Sequence, residues 1–153
     1  MTYNAADLVM PRLWLGNREA AADDTWLRAN GITTVFNCTK TLPFAEAARW
    51  RYRVPVDDNL QPAEIANMGD WAAETQLKLL REYKAGRTIL VHCHAGMQRS
   101  AAVVAMFLMT TQGMSANEAI QVVQQKRAIT FRPAVNFEPS IRRWERELAS
   151  VPH

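Results

Sequence analysis

The chain has 153 residues, of which 48% are hydrophobic and 22% charged, a composition that argues against intrinsic disorder and predicts one domain over residues 1–153. Its 18 Lys and Arg against 15 Asp and Glu leave a net charge of +3, which suits an anionic substrate without requiring a nucleic-acid partner. The chain has two cysteines and no leader pattern, which disfavours a disulfide-rich secreted domain, and no apolar run approaches the roughly 20 residues of a membrane span. We therefore expect an intracellular, reducing location, cytoplasmic or nuclear.

Local signals in the first half of the chain predict strands separated by a helix. Pro11 cannot donate a hydrogen bond to a neighbouring strand, so the apolar run around it suits the edge of a sheet. Asn30 and Gly31 form a helix stop signal. The predicted elements of this half are an edge strand over 8–15, a helix over 20–29, a buried strand over 32–37 and a short strand over 51–56.

The second half of the chain predicts mainly helices. The helix over 100–112 is apolar nearly all the way round, which predicts that it is buried, and Gly113 ends it. Ser115 and Glu118 have the spacing of a capping box, and Asn136 is a suitable N-cap for a last helix. The predicted elements are a helix over 63–83, a central strand over 88–91, the buried helix, a helix from the capping box to 126 and a last helix to 149.

This alternation of strands and helices predicts an α/β fold with a mostly parallel central sheet and helices on both faces. In such sheets, ligands bind beyond the carboxyl ends of the strands. The loop after Val91 lies at such an end, and it carries two of the three histidines beside Cys93. This loop is therefore the first candidate for a functional site.

The segment from His92 to Ser100 has the residues of an oxyanion site. A loop that enters a helix directs several backbone N–H groups at one point, where the positive end of the helix dipole adds to them. Arg99 supplies a planar fork of donors that can hold two phosphate oxygens at once. A thiol in this environment ionises readily, so we expect Cys93 to be a thiolate nucleophile.

The other residues of the loop have expected supporting roles. The Ser100 hydroxyl can hydrogen-bond the sulfur and help the thiolate leave, and His92 can bond the backbone near Cys93 and fix the loop. Gly96 allows a backbone conformation that other residues resist. The residues expected to surround the bound substrate are His94, Ala95, Gly96, Met97 and Gln98.

Attack by Cys93 on a phosphate monoester gives a cysteinyl-phosphate, and the departing oxygen then needs a proton from a general acid. Asp57 and Asp58 follow the strand over 51–56, and either can be that acid, or they can simply cap the next helix. The same carboxylate can activate water in the second step. We expect no cofactor or metal, and no CxxC or HxxxH pattern accompanies His94.

Two further features each have two interpretations. Cys38 is either a small core residue or the partner of Cys93 in a protective disulfide. The basic residues Lys126, Arg127 and Arg132 form either a solvated surface or a second anion pocket beside the main one.

The segment from His92 to Ser100 matches the H-C-x(5)-R-[ST] signature of the cysteine-dependent protein phosphatase superfamily, and the similarity runs from about Leu8 to Leu148. The stretches that resemble its dual-specificity branch are 13–17, 31–37, 54–58 and 100–109. In the stretch Val-Pro-Val-Asp-Asp, the second Asp falls on the general-acid position of that branch. The resemblance therefore favours Asp58 over Asp57.

The resemblance implies a small, atypical family member with a tyrosine phosphatase-like sheet of about five strands and a two-step mechanism without a cofactor. A long N-terminal segment deepens the pocket in tyrosine-specific relatives. Its absence here implies a shallow pocket that admits phosphoserine and phosphothreonine as well as phosphotyrosine in protein substrates. In this family an arginine matching Arg127 can lie near a second phosphate.

Other functions stay open at this point. Met97 and Gln98 are neutral where phosphoinositide phosphatases carry lysines, which disfavours a lipid substrate. The alternatives are an RNA 5′-phosphatase, a phosphoinositide phosphatase, a phosphate-binding pseudophosphatase, and sulfur or arsenate chemistry on a similar loop. The sequence indicates neither a particular substrate protein nor an oligomeric state.

Overall fold

The computed structural model describes residues 3–151. Its strands are β1 (Ala6–Met10), β2 (Leu13–Gly16), β3 (Ile32–Asn37), β4 (Trp50–Arg53) and β5 (Thr88–His92). Its helices are α1 (Arg18–Ala22), α2 (Asp24–Ala29), α3 (Pro62–Lys84), α4 (Arg99–Gln112), α5 (Ala116–Lys126) and α6 (Glu138–Ala149). Across residues 3–151, no helix combines the length and apolarity that crossing a bilayer requires.

The five strands form one sheet in the order β1-β2-β5-β3-β4. Three of the neighbouring pairs are parallel, and only β1 and β2 are antiparallel. The predicted α/β fold with a mostly parallel sheet of about five strands is thus confirmed. Because β5 lies at the centre, the loop that follows it opens at the middle of the carboxyl edge of the sheet.

Alternating side chains of the central strands point to opposite faces of the sheet. On one face, Leu90 packs with Leu27 of α2 and Ala21 of α1 in a small cluster. On the other face, Ile89 and Val91 belong to the main core, which α3 to α6 complete. Helices therefore cover both faces, as predicted, and burial on both sides holds β5 and its loop rigidly.

The amino-terminal segment differs from its prediction in two places. The expected single strand over 8–15 is a β-hairpin, because the chain turns at Pro11 and Arg12, where Arg12 has a φ of 67°. The expected helix over 20–29 is two short helices. Asp23 interrupts them with a non-helical backbone, and its side chain accepts a hydrogen bond from Trp26 N at 3.0 Å, which caps α2.

The later helices follow their predictions except at the start of α6. The capping box of Ser115 and Glu118 is present, and Gly113 ends α4 with a φ of 67°. The prediction that Asn136 caps the last helix is wrong. The helix begins at Glu138 with a proline in its first turn, which leaves the Asn136 side chain free to bond elsewhere.

Candidate active site

Three segments meet at the carboxyl edge of the sheet and enclose a cavity of about 250 Å³. They are the loop 93–98 after β5, the loop 54–61 after β4 and the segment 131–137 before α6. The cavity is lined by Asp58, Cys93, His94, Ala95, Met97, Gln98, Arg99, Arg132 and Asn136. The structure thus brings together the nucleophile, the arginine and the acid that the sequence predicts.

Cys93 is the first residue after β5 and is only 2% exposed. Its Sγ lies 3.1 Å from the Ser100 Oγ, in the first turn of α4. In this geometry the hydroxyl can donate to an ionised sulfur. This contact supports the role expected of Ser100.

The amino terminus of α4 is built differently from those of its neighbours. Asn17, Asp23 and Ser115 cap α1, α2 and α5 with their side chains. Within residues 3–151, the N-cap residue Gln98 of α4 makes no such bond, and this helix has no proline in its first turn. The first N–H groups of α4 are therefore available to an anion at the positive end of the helix dipole.

Arg99 is a buried cation, only 8% exposed, that lines the cavity. Its Nη1 donates to the Val56 carbonyl oxygen at 3.0 Å, which ties the loop after β4 to the loop after β5. In the described part of the chain, its Nε meets no acceptor and no carboxylate forms an ion pair with it. A buried guanidinium without a counter-charge is costly, so the site suits an anionic ligand.

The two adjacent carboxylates have different surroundings. Asp58 lines the cavity, and its Oδ1 accepts a hydrogen bond from Asn136 Nδ2 at 2.9 Å. Asp57 instead forms an ion pair with Lys40 at 3.1 Å, and its backbone N–H donates to Glu64 Oε1 at 3.0 Å. The hydrogen bond from Lys40 also holds the pKa of Glu64 at about 2. The geometry therefore places Asp58, but not Asp57, in the wall of the cavity that Cys93 and Arg99 also line.

A family model described as "Dual specificity phosphatase, catalytic domain" matches residues 13–147. The chain belongs to this family. Human dual specificity protein phosphatase 1 is 30% identical over 146 residues, which are 95% of this chain and 38% of that protein. Human dual specificity protein phosphatase 2 is 29% identical over 92% of this chain and 43% of its own length. The chain thus spans about two-fifths of these curated relatives.

Solved structures of family members have the same fold. Human DUSP28 superposes with a TM-score of 0.85 at 28% identity, over 97% of this chain and 98% of that one. A mouse putative dual specificity phosphatase complexed with zinc tungstate has a TM-score of 0.84 at 28% identity, over 95% of this chain and 89% of that one. Together they agree with the expectation of a small, atypical dual-specificity phosphatase domain.

His92, the last residue of β5, supports the loop 93–98 from inside the sheet. The residue is fully buried, and its Nδ1 lies 3.2 Å from the Cys93 carbonyl oxygen, so that nitrogen carries the proton and donates. The backbone contact that the sequence predicts for His92 is present. Burial lowers the pKa of His92 to about 4, so the ring is neutral at pH 7.

The buried His92 should make the stability of the domain depend on pH. An unfolded histidine binds its proton near pH 6.5, whereas the folded one resists it until about pH 4, so the unfolded state holds more protons between these values. We expect acidification across this window to lower the free energy of unfolding by about 3 kcal/mol more in the parent than in His92→Asn. Urea unfolding at several pH values measures this. Parallel pH curves for the two proteins would contradict the assignment.

Gly96 and Arg127 fix the backbone conformation of the loop 93–98. Gly96 has a φ of 67°, and a Cβ there would lie 2.5 Å from the Gly16 carbonyl oxygen, so a side chain is excluded. Arg127 is 2% exposed and donates to the carbonyl oxygens of Gly96 at 2.9 Å and Ala95 at 3.2 Å. Its Nη1 also pairs with Asp7 at 2.8 Å. The expected contact between Arg127 and a second phosphate stays a prediction.

The second cysteine is also close to the loop. Cys38 is fully buried, and its backbone N–H donates to the His92 carbonyl oxygen at 2.8 Å. Burial raises the pKa of the Cys38 thiol, and the neighbouring charge of Cys93 raises it further. A disulfide between Cys38 and Cys93 stays a prediction. Over residues 3–151, no three His, Cys, Asp or Glu side chains are grouped to hold a metal ion.

Sequence reasoning missed Asn136 in the cavity wall, because it interprets this residue as a helix cap. Gln98 is among the residues predicted to surround the substrate, but its hydrogen bonds to the segment 132–136 are not predicted. The proline at position 139 is a helix-start signal that places the start of α6 after Asn136, and this signal could have freed Asn136 for another role. Nothing local in the sequence points to its contact with Asp58.

Proposed function

We propose that the chain is one catalytic domain that hydrolyses phosphotyrosine, phosphoserine and phosphothreonine in proteins through a cysteinyl-phosphate. The observation that carries this proposal is the convergence of Cys93, Arg99 and Asp58 on one cavity of about 250 Å³. The similarity to protein phosphatases supports the substrate class. Because the nucleophile must stay reduced, we propose a reducing intracellular location.

In the first step, the Cys93 thiolate attacks the phosphorus atom of the substrate. An S–P bond forms and the P–O bond to the leaving group breaks. Asp58 donates its proton to the departing oxygen, which leaves as a neutral alcohol or phenol. The amides of the loop and the Arg99 guanidinium hold the remaining phosphoryl oxygens and stabilise the charge that develops on them.

In the second step, water attacks the cysteinyl-phosphate. The Asp58 carboxylate takes a proton from the water, a new P–O bond forms, and the S–P bond breaks. The sulfur leaves as a thiolate, which the Ser100 hydroxyl stabilises from 3.1 Å. Neither step requires a metal or a cofactor, because the protein itself supplies the positive field and both proton transfers.

The mouth of the cavity supports broad specificity. Asp58, His94 and Ala95 are exposed, so the acid and the loop lie close to the surface rather than at the bottom of a deep cleft. A short phosphoserine side chain can therefore reach Cys93 as well as a long phosphotyrosine can. The buried amide of Gln98 is fully used by the segment 132–136, which leaves it unable to bind a lipid headgroup.

Hydrolysis of para-nitrophenyl phosphate in the presence of a chelator tests the proposal. We expect turnover that does not need added metal, with competitive inhibition by vanadate and tungstate, tetrahedral oxyanions that occupy the phosphate position. Turnover that appears only after metal is restored would contradict the mechanism. Binding of tungstate without any turnover would instead favour a phosphate-binding pseudophosphatase.

A further inference from the structure

We infer that Asn136 is a positioning residue for the general acid, and that Gln98 of the loop 93–98, the phosphate loop, holds Asn136 in place. The inference rests on the proposed role of Asp58. Asn136 acts through Asp58 and need not touch the substrate itself. It adds to the proposed mechanism a polar connection from the loop that binds the phosphate to the side chain that protonates the leaving group.

The contact between Asn136 and Asp58 closes one side of the cavity. Asn136 Nδ2 donates to Asp58 Oδ1 at 2.9 Å across 78 positions of sequence. Asp58 lies on an exposed loop in which Leu60 is 63% exposed and has a φ of 63°, so the packing of that loop does little to fix the carboxylate. Between residues 3 and 151, Asn136 is the only hydrogen-bond donor to the Asp58 side chain.

Gln98 fixes the segment that carries Asn136. Its side chain is 4% exposed, and both ends of its amide are used. Nε2 donates to the carbonyl oxygens of Ala134 at 2.8 Å and Arg132 at 3.3 Å, and Oε1 accepts from the backbone N–H of Asn136 at 3.0 Å. Three hydrogen bonds that involve one buried side chain hold this segment against the phosphate loop, so the backbone of Asn136 is fixed in position.

The hydrogen bond also selects the oxygen that carries the catalytic proton. Asn136 Nδ2 can only donate, so Asp58 Oδ1 must accept from it in both protonation states. A carbonyl oxygen accepts more strongly than the oxygen of an acid O–H, so this bond favours the acid proton on Oδ2, which has no hydrogen-bond partner among residues 3–151. Without Asn136, the carboxyl group could rotate, and the protonated oxygen would face the leaving group for only part of the time.

Leaving-group dependence separates positioning of the acid from simple support of the fold. A poor leaving group such as phenolate needs the proton more than the good leaving group para-nitrophenolate does. We expect Asn136→Ala to lower kcat by about tenfold for phenyl phosphate and by only about twofold for para-nitrophenyl phosphate, with KM little changed. Asn136→Leu, which keeps the volume and lacks the donor, should behave alike and guards against a packing defect.

A double-mutant cycle with Asp58→Asn tests whether Asn136 acts through Asp58. Once the acid is gone, adding Asn136→Ala should change kcat by less than about twofold, because the two residues act as one unit. The matched control is Asn59→Ala on the same loop, whose side chain bonds only Gln61 N within the described chain. It should leave both kcat values unchanged.

The outcomes distinguish the two levels of the proposal. Equal losses on both substrates, or a loss from Asn136→Ala that persists beside Asp58→Asn, would overturn the positioning role while the phosphatase proposal stands. If Asp58→Asn lowers kcat by the same factor for phenyl phosphate and for para-nitrophenyl phosphate, the acid assignment itself fails, and the role of Asn136 fails with it.

Discussion

Replacing Cys93 with Ser is expected to abolish hydrolysis of para-nitrophenyl phosphate, with kcat lowered by about 10⁴-fold or more. A serine hydroxyl stays protonated at neutral pH and attacks phosphorus far more slowly than a thiolate does. Ser100 does not line the cavity, and its hydroxyl lies 3.1 Å from the Cys93 sulfur, so we do not expect it to replace the nucleophile. Steady-state kinetics with chelator present measures the loss.

The same variant should keep its fold and its anion site. Arg99 and the amides of α4 do not depend on the sulfur, so tungstate binding measured by calorimetry should persist in Cys93→Ser. Cys38→Ala is the matched thiol control, and it should retain the activity of the parent. Turnover in Cys93→Ser within tenfold of the parent would remove Cys93 as the nucleophile.

The segment around β5 and α4 could be predicted from sequence because its signals are local. An apolar run makes a strand central, a uniformly apolar run buries the next helix, and Gly113 ends it with a left-handed backbone. The loop between them is contiguous, so its geometry follows once its two ends are placed. The position of Cys93 and Arg99 in one cavity follows from these few local facts.

Contacts between distant segments could not be predicted in this way. Asn136 bonds Asp58 across 78 positions, and Arg127 pairs with Asp7 across 120 positions. Hydrophobic periodicity reports which face of an element is buried, but it does not report which polar side chains meet there. Sequence patterns likewise do not reveal that Arg127 lies under the loop with most of its donors bonded to protein atoms.

The choice between Asp57 and Asp58 is the clearest case in which residue chemistry was insufficient. The two carboxylates are adjacent and identical, so only their surroundings distinguish them. Lys40 draws Asp57 away from the cavity, with Nζ 3.1 Å from Oδ2, whereas Asp58 faces Asn136 across the cavity. The family resemblance favoured Asp58, and the geometry supplies a physical reason for the same choice.

Asp58→Ala is expected to lower kcat for aryl phosphates by about 10²-fold to 10⁴-fold, the range typical of a lost general acid. The leaving oxygen must then depart as an anion, and water must attack the cysteinyl-phosphate without a base. In the same assay Asp57→Ala should stay within about threefold of the parent. Within residues 3–151 the ion pair that this variant loses is with Lys40, and both side chains are nearly half exposed, where such pairs contribute little.

The leaving group provides the decisive control for this comparison. If Asp58 is the acid, Asp58→Ala loses more activity on phenyl phosphate than on para-nitrophenyl phosphate, because the poorer leaving group depends more on the donated proton. Asp57→Ala should show the same ratio of activities as the parent, because Lys40 and Glu64 lie outside the cavity. Equal losses in the two variants, or a selective loss on phenyl phosphate only in Asp57→Ala, would transfer the proton-donating role to Asp57 and require the loop after β4 to rearrange when substrate binds.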